Sequence, residues 1–242
     1  MKDRFSEHSQ NYASFRPLYP PELFDHIFRH VNRFDLAWDA GTGNGQAARV
    51  LARVFKNVVA TDISAKQIEF AERLPNIEYA IAAENSGLPD HTANLITVAQ
   101  AIHWFDRDRF YEEVSRAGAP GALLAVWGYG LISFNKAIDP IVTHFYKNVI
   151  GPYWDKERKH IDDKFQNIRF PYKEITSPHF EIKVNWNLDD FRGYLGTWSA
   201  VRNYISERGN DPVPELIREI KPLWARSEEG RFEIFLRMGK VS

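Results

Sequence analysis

Three glycines in five residues, Gly41, Gly43 and Gly45, stand between a short apolar run and an amphipathic stretch in LAWDAGTGNGQAARVLARVF (36–55). Ordered glycine costs chain entropy, so such a cluster marks a backbone that turns sharply or lets another molecule come close. Between a strand and a helix, a loop of this kind brings backbone amides and a helix N-terminus together on one negative group. Acidic residues accompany it: Asp39 lies two positions before the first glycine, Asp62 closes the next apolar run, and Glu84 follows the third. A carboxylate at position 62 can accept both hydroxyls of a ribose, which fits a nucleoside without choosing between nucleotide cofactors. A dinucleotide fingerprint places its third glycine where this chain has Gln46.

His103, in QAIHWF, stands just past the fourth apolar run. Imidazole titrates in the range that suits proton transfer, so one reading is a general base. The other is a ring that bonds a loop carbonyl and shapes a pocket, with Trp104 packing beside it against a cofactor or a lid. His26 and His30 are one helical turn apart, but no cysteine and no zincin-type glutamate accompany them. They read as a solvated helix face, and no metal site is expected. The clusters DKERKH (155–160) and RSEEGR (226–231) are mixed in sign and read as solvated surface. Tyr129, Tyr153, Trp154, Trp198 and Tyr204 supply rings for an acceptor pocket, for the surroundings of a cation, or for ordinary core. Arg192 and Arg202, near Trp198, can pair with a substrate carboxylate.

The elements that must position these groups follow from the apolar pattern. Strands are expected over 34–40, 57–62, 77–83, 94–100 and 121–128, with helices over 46–55, 65–74 and 107–117 between them. That alternation reads as right-handed crossovers in a parallel, doubly wound sheet. Ligands of such sheets lie in the crevice beyond the carboxyl ends of the strands, so Asp39, Asp62, Glu84 and QAIHWF should face one cleft. Ser64 and Gln67 make a capping-box pattern at the second helix, and the prolines of YPPELFDHIFRH suit a helix start. After Gly130 the alternation stops. Strands are expected over 180–186 and 231–239 and helices around 189–204 and 212–225, the strands extending the sheet and the helices forming a lid. The expected organisation is one domain over 1–242: an N-terminal helical flap (1–31), a core (32–130), and lid helices with the last two strands (131–242).

With 242 residues, 44% of them hydrophobic, the chain is long enough for a full core. Its 31 basic and 32 acidic residues give no field for nucleic acid or an anionic membrane. No cysteine is present and the first residues carry no apolar signal core, so a cytoplasmic protein is expected.

The GxGxG spacing after Asp39, continued through VVATDISAKQIEFAE, AAENSGLPD and VAQAIHWF, resembles the methyltransferase type 11 group of class I S-adenosylmethionine (SAM) methyltransferases. The resemblance covers about the first 130 residues. YASFRPLYPPELF, AIHWF, VWGYG, GPYW and TWSA are further similar to the trans-aconitate and cantharidin-resistance methyltransferase branch, whose members methylate small carboxylic acids. The resemblance implies an α/β Rossmann-like fold, a mostly parallel seven-stranded sheet with a helical lid, SAM as cofactor and a small-molecule acceptor. It implies that Gly41, Gly43 and Gly45, after Asp39, approach the methionine part of SAM and that Asp62 holds the ribose. Ile63, Ala83 and Glu84 would surround the adenine, Gln100 would close the methionine side, and Tyr12 and Arg16 would fold over the cofactor. Trp104, Tyr129, Trp198 and Arg202 are the candidates for the acceptor, with His103 the candidate for catalysis. Two rivals remain: an NAD(P)-type oxidoreductase, held back by Gln46, and a non-catalytic SAM-binding module.

Overall fold

The computed structural model describes residues 15–241. Helix α1 (Pro21–Phe28) starts on a proline at its first position, where the missing N–H leaves no bond unmade. Then follow β1 (Leu36–Ala40), α2 (Ala48–Leu51), β2 (Asn57–Asp62), α3 (Ala65–Glu69), β3 (Ile77–Ile81), β4 (Ala93–Ala99), α4 (Arg107–Ala117) and β5 (Gly118–Tyr129). The second half supplies α5 (Asp139–His144), α6 (Arg158–Asp162), β6 (Phe180–Trp186), α7 (Leu188–Gly196), α8 (Ser199–Arg208), α9 (Val213–Ile220) and β7 (Glu228–Lys240).

The strands form one seven-stranded sheet in the order β3-β2-β1-β4-β5-β7-β6. The first five are parallel, and β7 runs antiparallel between β5 and β6. Both faces are covered, as a parallel sheet requires. Leu123, Ala125 and Trp127 of β5 enter one apolar cluster, while Leu124 and Val126 enter the other. In register, Asp39 pairs with Ala60 on one side and Thr97 on the other, so the carboxyl ends of β1, β2 and β4 lie side by side.

Several elements are shorter than expected. The helix over 46–55 is regular only at Ala48–Leu51, and that over 65–74 stops at Glu69, although Ser64 Oγ caps it by accepting from Gln67 N. The helix over 189–204 breaks at Thr197–Trp198 into two, the first closed at its start by an Asn187–Asp190 capping box. β3 ends at Ile81, two residues before the expected Ala83. Most of the expected 1–31 flap, including Tyr12, lies outside the described residues or differs from the expectation. From Pro21 onward it is a core helix, with Leu23, Phe24 and Ile27 buried beside Leu51, Leu95 and Trp127. Among the described residues, no helix is long and apolar enough to cross a membrane.

Candidate active site

The glycine loop follows β1 directly. Gly41 and Gly43 have φ of 69° and 58°, a region that L side chains rarely occupy. A Cβ on Gly41 would lie 2.5 Å from the Ala101 Cβ, so the loop is pressed against the segment after β4. Among the described residues, a Cβ on Gly43 would meet no atom closer than 3.9 Å and would project into open space instead. That space is a cavity of about 720 Å³, counted with its mouth.

The loop is not an anion cradle. Thr42 N bonds Thr61 O at 2.9 Å and Gly45 N bonds Thr42 O at 3.0 Å. Gly43 N donates to Asp62 Oδ2 at 2.8 Å, and Asp62 Oδ1 accepts from Ser64 N at 2.8 Å. Three of the loop's amides are thereby engaged within the chain, one of them by a carboxylate. A pyrophosphate, which needs these donors and is repelled by that carboxylate, is poorly matched.

Of the residues expected at the cofactor, Arg16, Gly41, Gly43, Asp62 and Gln100 line this cavity, together with Trp104 and Tyr129. Asp39 does not. It is fully buried behind the loop, where its carboxylate accepts from Thr42 Oγ1 at 2.5 Å and Thr97 Oγ1 at 2.7 Å. Burial pushes its pKa up to about 6 despite those bonds. Asp39 is a strut that ties the loop to β4. Gly45 also stands outside the lining, packed so that a Cβ would collide with the Tyr79 hydroxyl. Ile63, Ala83 and Glu84 do not line the cavity either. Because β3 ends early, Glu84 turns away, and its Oε1 accepts from Asp106 N at 2.9 Å at the start of α4.

Gln100 adopts φ of 54°, unusual for a side chain of its size. Its Nε2 donates to Tyr129 O at 3.0 Å, and its Oε1 is buried with no hydrogen-bond partner among the described residues. Arg16 Nη1 donates to Tyr129 OH at 2.9 Å. Arg16, Gln100 and Trp104 form a wall between the first cavity and a second, of about 580 Å³ with its mouth.

His103 belongs to the second cavity, with Trp198. Its ring packs on Trp104 and Phe165, at centroid distances of 4.9 and 6.0 Å. Nδ1 is buried and, among the described residues, has no hydrogen-bond partner. Burial, reinforced by the charges of Arg158, His160 and Arg16, pushes the imidazole pKa down to about 3, so the ring is uncharged at neutral pH.

Arg202, expected at the acceptor, is placed elsewhere: its Nη1 donates to Thr197 O at 2.9 Å, across the break between α7 and α8, and it is not among the described residues that line either cavity. Arg158 and Asp155 occupy the second cavity instead, although both lie in the cluster read as solvated surface. A signal was present: Trp154 precedes Arg158 by four residues, a helical spacing at which a guanidinium can cover an indole. Tyr153 and Tyr204 pack on each other at 4.8 Å and line neither cavity. His26 packs beside His30 and Phe180, and among the described residues no cluster suited to a metal ion is present.

Residues 38–126 match the family model described as a methyltransferase domain. A Dictyostelium discoideum protein assigned as a methyltransferase is 38% identical over 219 residues, which cover 88% of this chain and 83% of that protein. CRG1 of Saccharomyces cerevisiae, named as a probable S-adenosylmethionine-dependent methyltransferase, is 23% identical over 89% of this chain and 87% of its own. The solved structure of a protein assigned as a type II methyltransferase from Anaeromyxobacter dehalogenans superimposes with a TM-score of 0.87 at 37% identity, covering 94% of this chain and 99% of that one. The chain belongs to the class I SAM-dependent methyltransferases. Its cofactor is SAM, and the residues present fit that molecule: a carboxylate on the cavity wall at the end of β2, a loop held clear of the other described side chains at Gly43, and the buried Gln100 oxygen.

Proposed function

We propose that the enzyme methylates an oxygen of a small carboxylic acid, with residues 32–130 supplying most of the cofactor site and the segment 131–241 most of the acceptor site. One observation carries this reading: the cavity next to the cofactor cavity is lined by two guanidinium groups, Arg16 and Arg158, and by an imidazole held uncharged. Among the described lining residues Asp155 is the one carboxylate, so their charge balance favours an anion.

Asp62 is assigned to the ribose hydroxyls, Gly41 and Gly43 to close approach along the cofactor, and Gln100 with Arg16 to its methionine end. Bound in this way, SAM supplies a methyl group activated by the positive sulfur. A carboxylate is already ionised at neutral pH and needs no base, so the chain's task is alignment and exclusion of water. Arg16, Gln100 and Trp104 stand where the two ligands meet. His103 shapes the acceptor cavity there, since a group with a pKa near 3 is a weak acceptor of protons at neutral pH.

The test is His103→Ala, assayed with a panel of carboxylic acids, phenols and amines. On an acid, transfer should fall by less than about tenfold, and the wild-type rate should be flat between about pH 8 and 6. An imidazole that titrates near 3 remains uncharged throughout that range. A general base would instead give a loss on the order of 10² to 10⁴ and an acidic limb that the variant lacks. That result on a confirmed acceptor, with SAM affinity intact, would put His103 in the chemistry.

A further inference from the structure

The proposed acid acceptor leaves open what reads its charge on the side away from the cofactor. Arg158 projects from α6 into the second cavity, and its guanidinium is held in place by three neighbours. Its Nε donates to Tyr146 OH at 2.6 Å, and that hydroxyl donates to Asp162 Oδ1 at 2.6 Å. The guanidinium carbon sits 4.6 Å from the centroid of the Trp154 ring and 5.3 Å from that of Tyr146. Among the described residues, no hydrogen bond occupies Nη1 or Nη2. The side chain retains 20% of its exposure, enough to be reached from the cavity.

This is a guanidinium aimed in advance. A flexible arginine loses rotamer freedom when it grips a ligand, whereas here the aromatic stack and the Tyr146 bond have removed that freedom already. The position matters as well. Arg16, Gln100 and Trp104 are common to both cavities and mark where the methyl must pass, but Arg158 lines the second cavity alone. Arg158 therefore belongs to the second cavity apart from that shared wall.

We propose that Arg158 anchors a second anionic group of the acceptor, remote from the oxygen that receives the methyl, and that Tyr146 and Asp162 are the positioning residues that aim it. The assignment rests on the acid reading above. The partner is defined by chemistry: a planar carboxylate that can take two parallel N–H bonds.

The experiment compares dicarboxylic acids with their half-amides in the wild type and in Arg158→Gln, Arg158→Lys and Tyr146→Phe. SAM affinity is measured by calorimetry and folding by thermal melting on the same samples. The wild type should prefer a diacid to its half-amide by roughly 30-fold or more in kcat/KM. Arg158→Gln should raise KM for the diacid by about 10- to 100-fold and erase the preference, with kcat and SAM affinity little changed. Lysine should recover only part, because it offers a point charge in place of a fork. Tyr146→Phe should raise KM less than Arg158→Gln does and reduce the preference without abolishing it. An unchanged diacid preference in Arg158→Gln, or a parallel loss of SAM binding, overturns the assignment while leaving the acid reading standing. A wild type that methylates amines or phenols and no carboxylic acid removes the acid reading itself, and the anchor with it.

Discussion

Gly43→Val should weaken SAM binding by at least about 100-fold, some 2.7 kcal/mol, while the chain stays folded. The two halves of that expectation have separate causes. At φ of 58° a β-branched residue is strained by roughly 1 to 2 kcal/mol or somewhat more, a fraction of the 5 to 15 kcal/mol that stabilises an ordinary domain. Among the described residues no atom lies closer than 3.9 Å to the added Cβ, so the side chain has room beside them. In the proposed site, the room it takes is the cofactor's. Gly41→Ala is the contrasting change: its Cβ would lie 2.5 Å from the Ala101 Cβ and 3.1 Å from the Phe105 ring, so the loop or the segment after β4 must shift. That variant should lose about 2 to 4 kcal/mol of stability. Calorimetry with SAM and thermal melting on both variants separate the two effects. A Gly43→Val protein that melts and binds like the wild type would mean that the cofactor does not approach the loop at this glycine.

The sequence located the cleft but not the depth of each residue within it. Apolar runs that alternate with amphipathic stretches identify which end of each strand carries the polar residues, and in a parallel sheet those ends converge on one crevice. Gly41, Gly43, Asp62 and Gln100 line the cavity on that basis. Asp39 sits at the same end of the same strand, yet its carboxylate is consumed by Thr42 and Thr97, and no one-dimensional pattern encodes that pairing. Glu84 depends on where β3 stops, and a difference of two residues directs it to the cap of α4.

The second cavity was less legible still. Charge alternation in DKERKH reads as a solvated face because it reflects the average cost of burying each residue. It says nothing of the Trp154 and Tyr146 rings that hold Arg158 at the cavity wall. Arg202 was the chemically reasonable candidate, but the break at Thr197 leaves a carbonyl that accepts from its Nη1, and Arg202 does not line the cavity.

Asp62→Ala should weaken SAM binding by about 10² to 10³, roughly 2.7 to 4 kcal/mol, which exceeds the loss of a ribose contact alone. The residue is only 9% exposed, and both its carboxylate oxygens already accept backbone amides, from Gly43 and Ser64. Removing it leaves two poorly solvated N–H groups without partners, at about 1 to 3 kcal/mol for each one left fully buried, and frees the loop that must present Gly43. Stability should fall by about 2 to 3 kcal/mol, or roughly 4 to 12 °C in Tm for a chain of this size. Asn is isosteric but should rescue little. Its single carbonyl oxygen can serve Gly43 or Ser64, whereas its NH2 then confronts the other amide donor to donor. Binding by Asp62→Asn should therefore recover no more than a few fold relative to Asp62→Ala. If Asp62→Ala binds SAM within about threefold of the wild type while its Tm falls, the carboxylate serves the loop alone and the ribose must be held elsewhere.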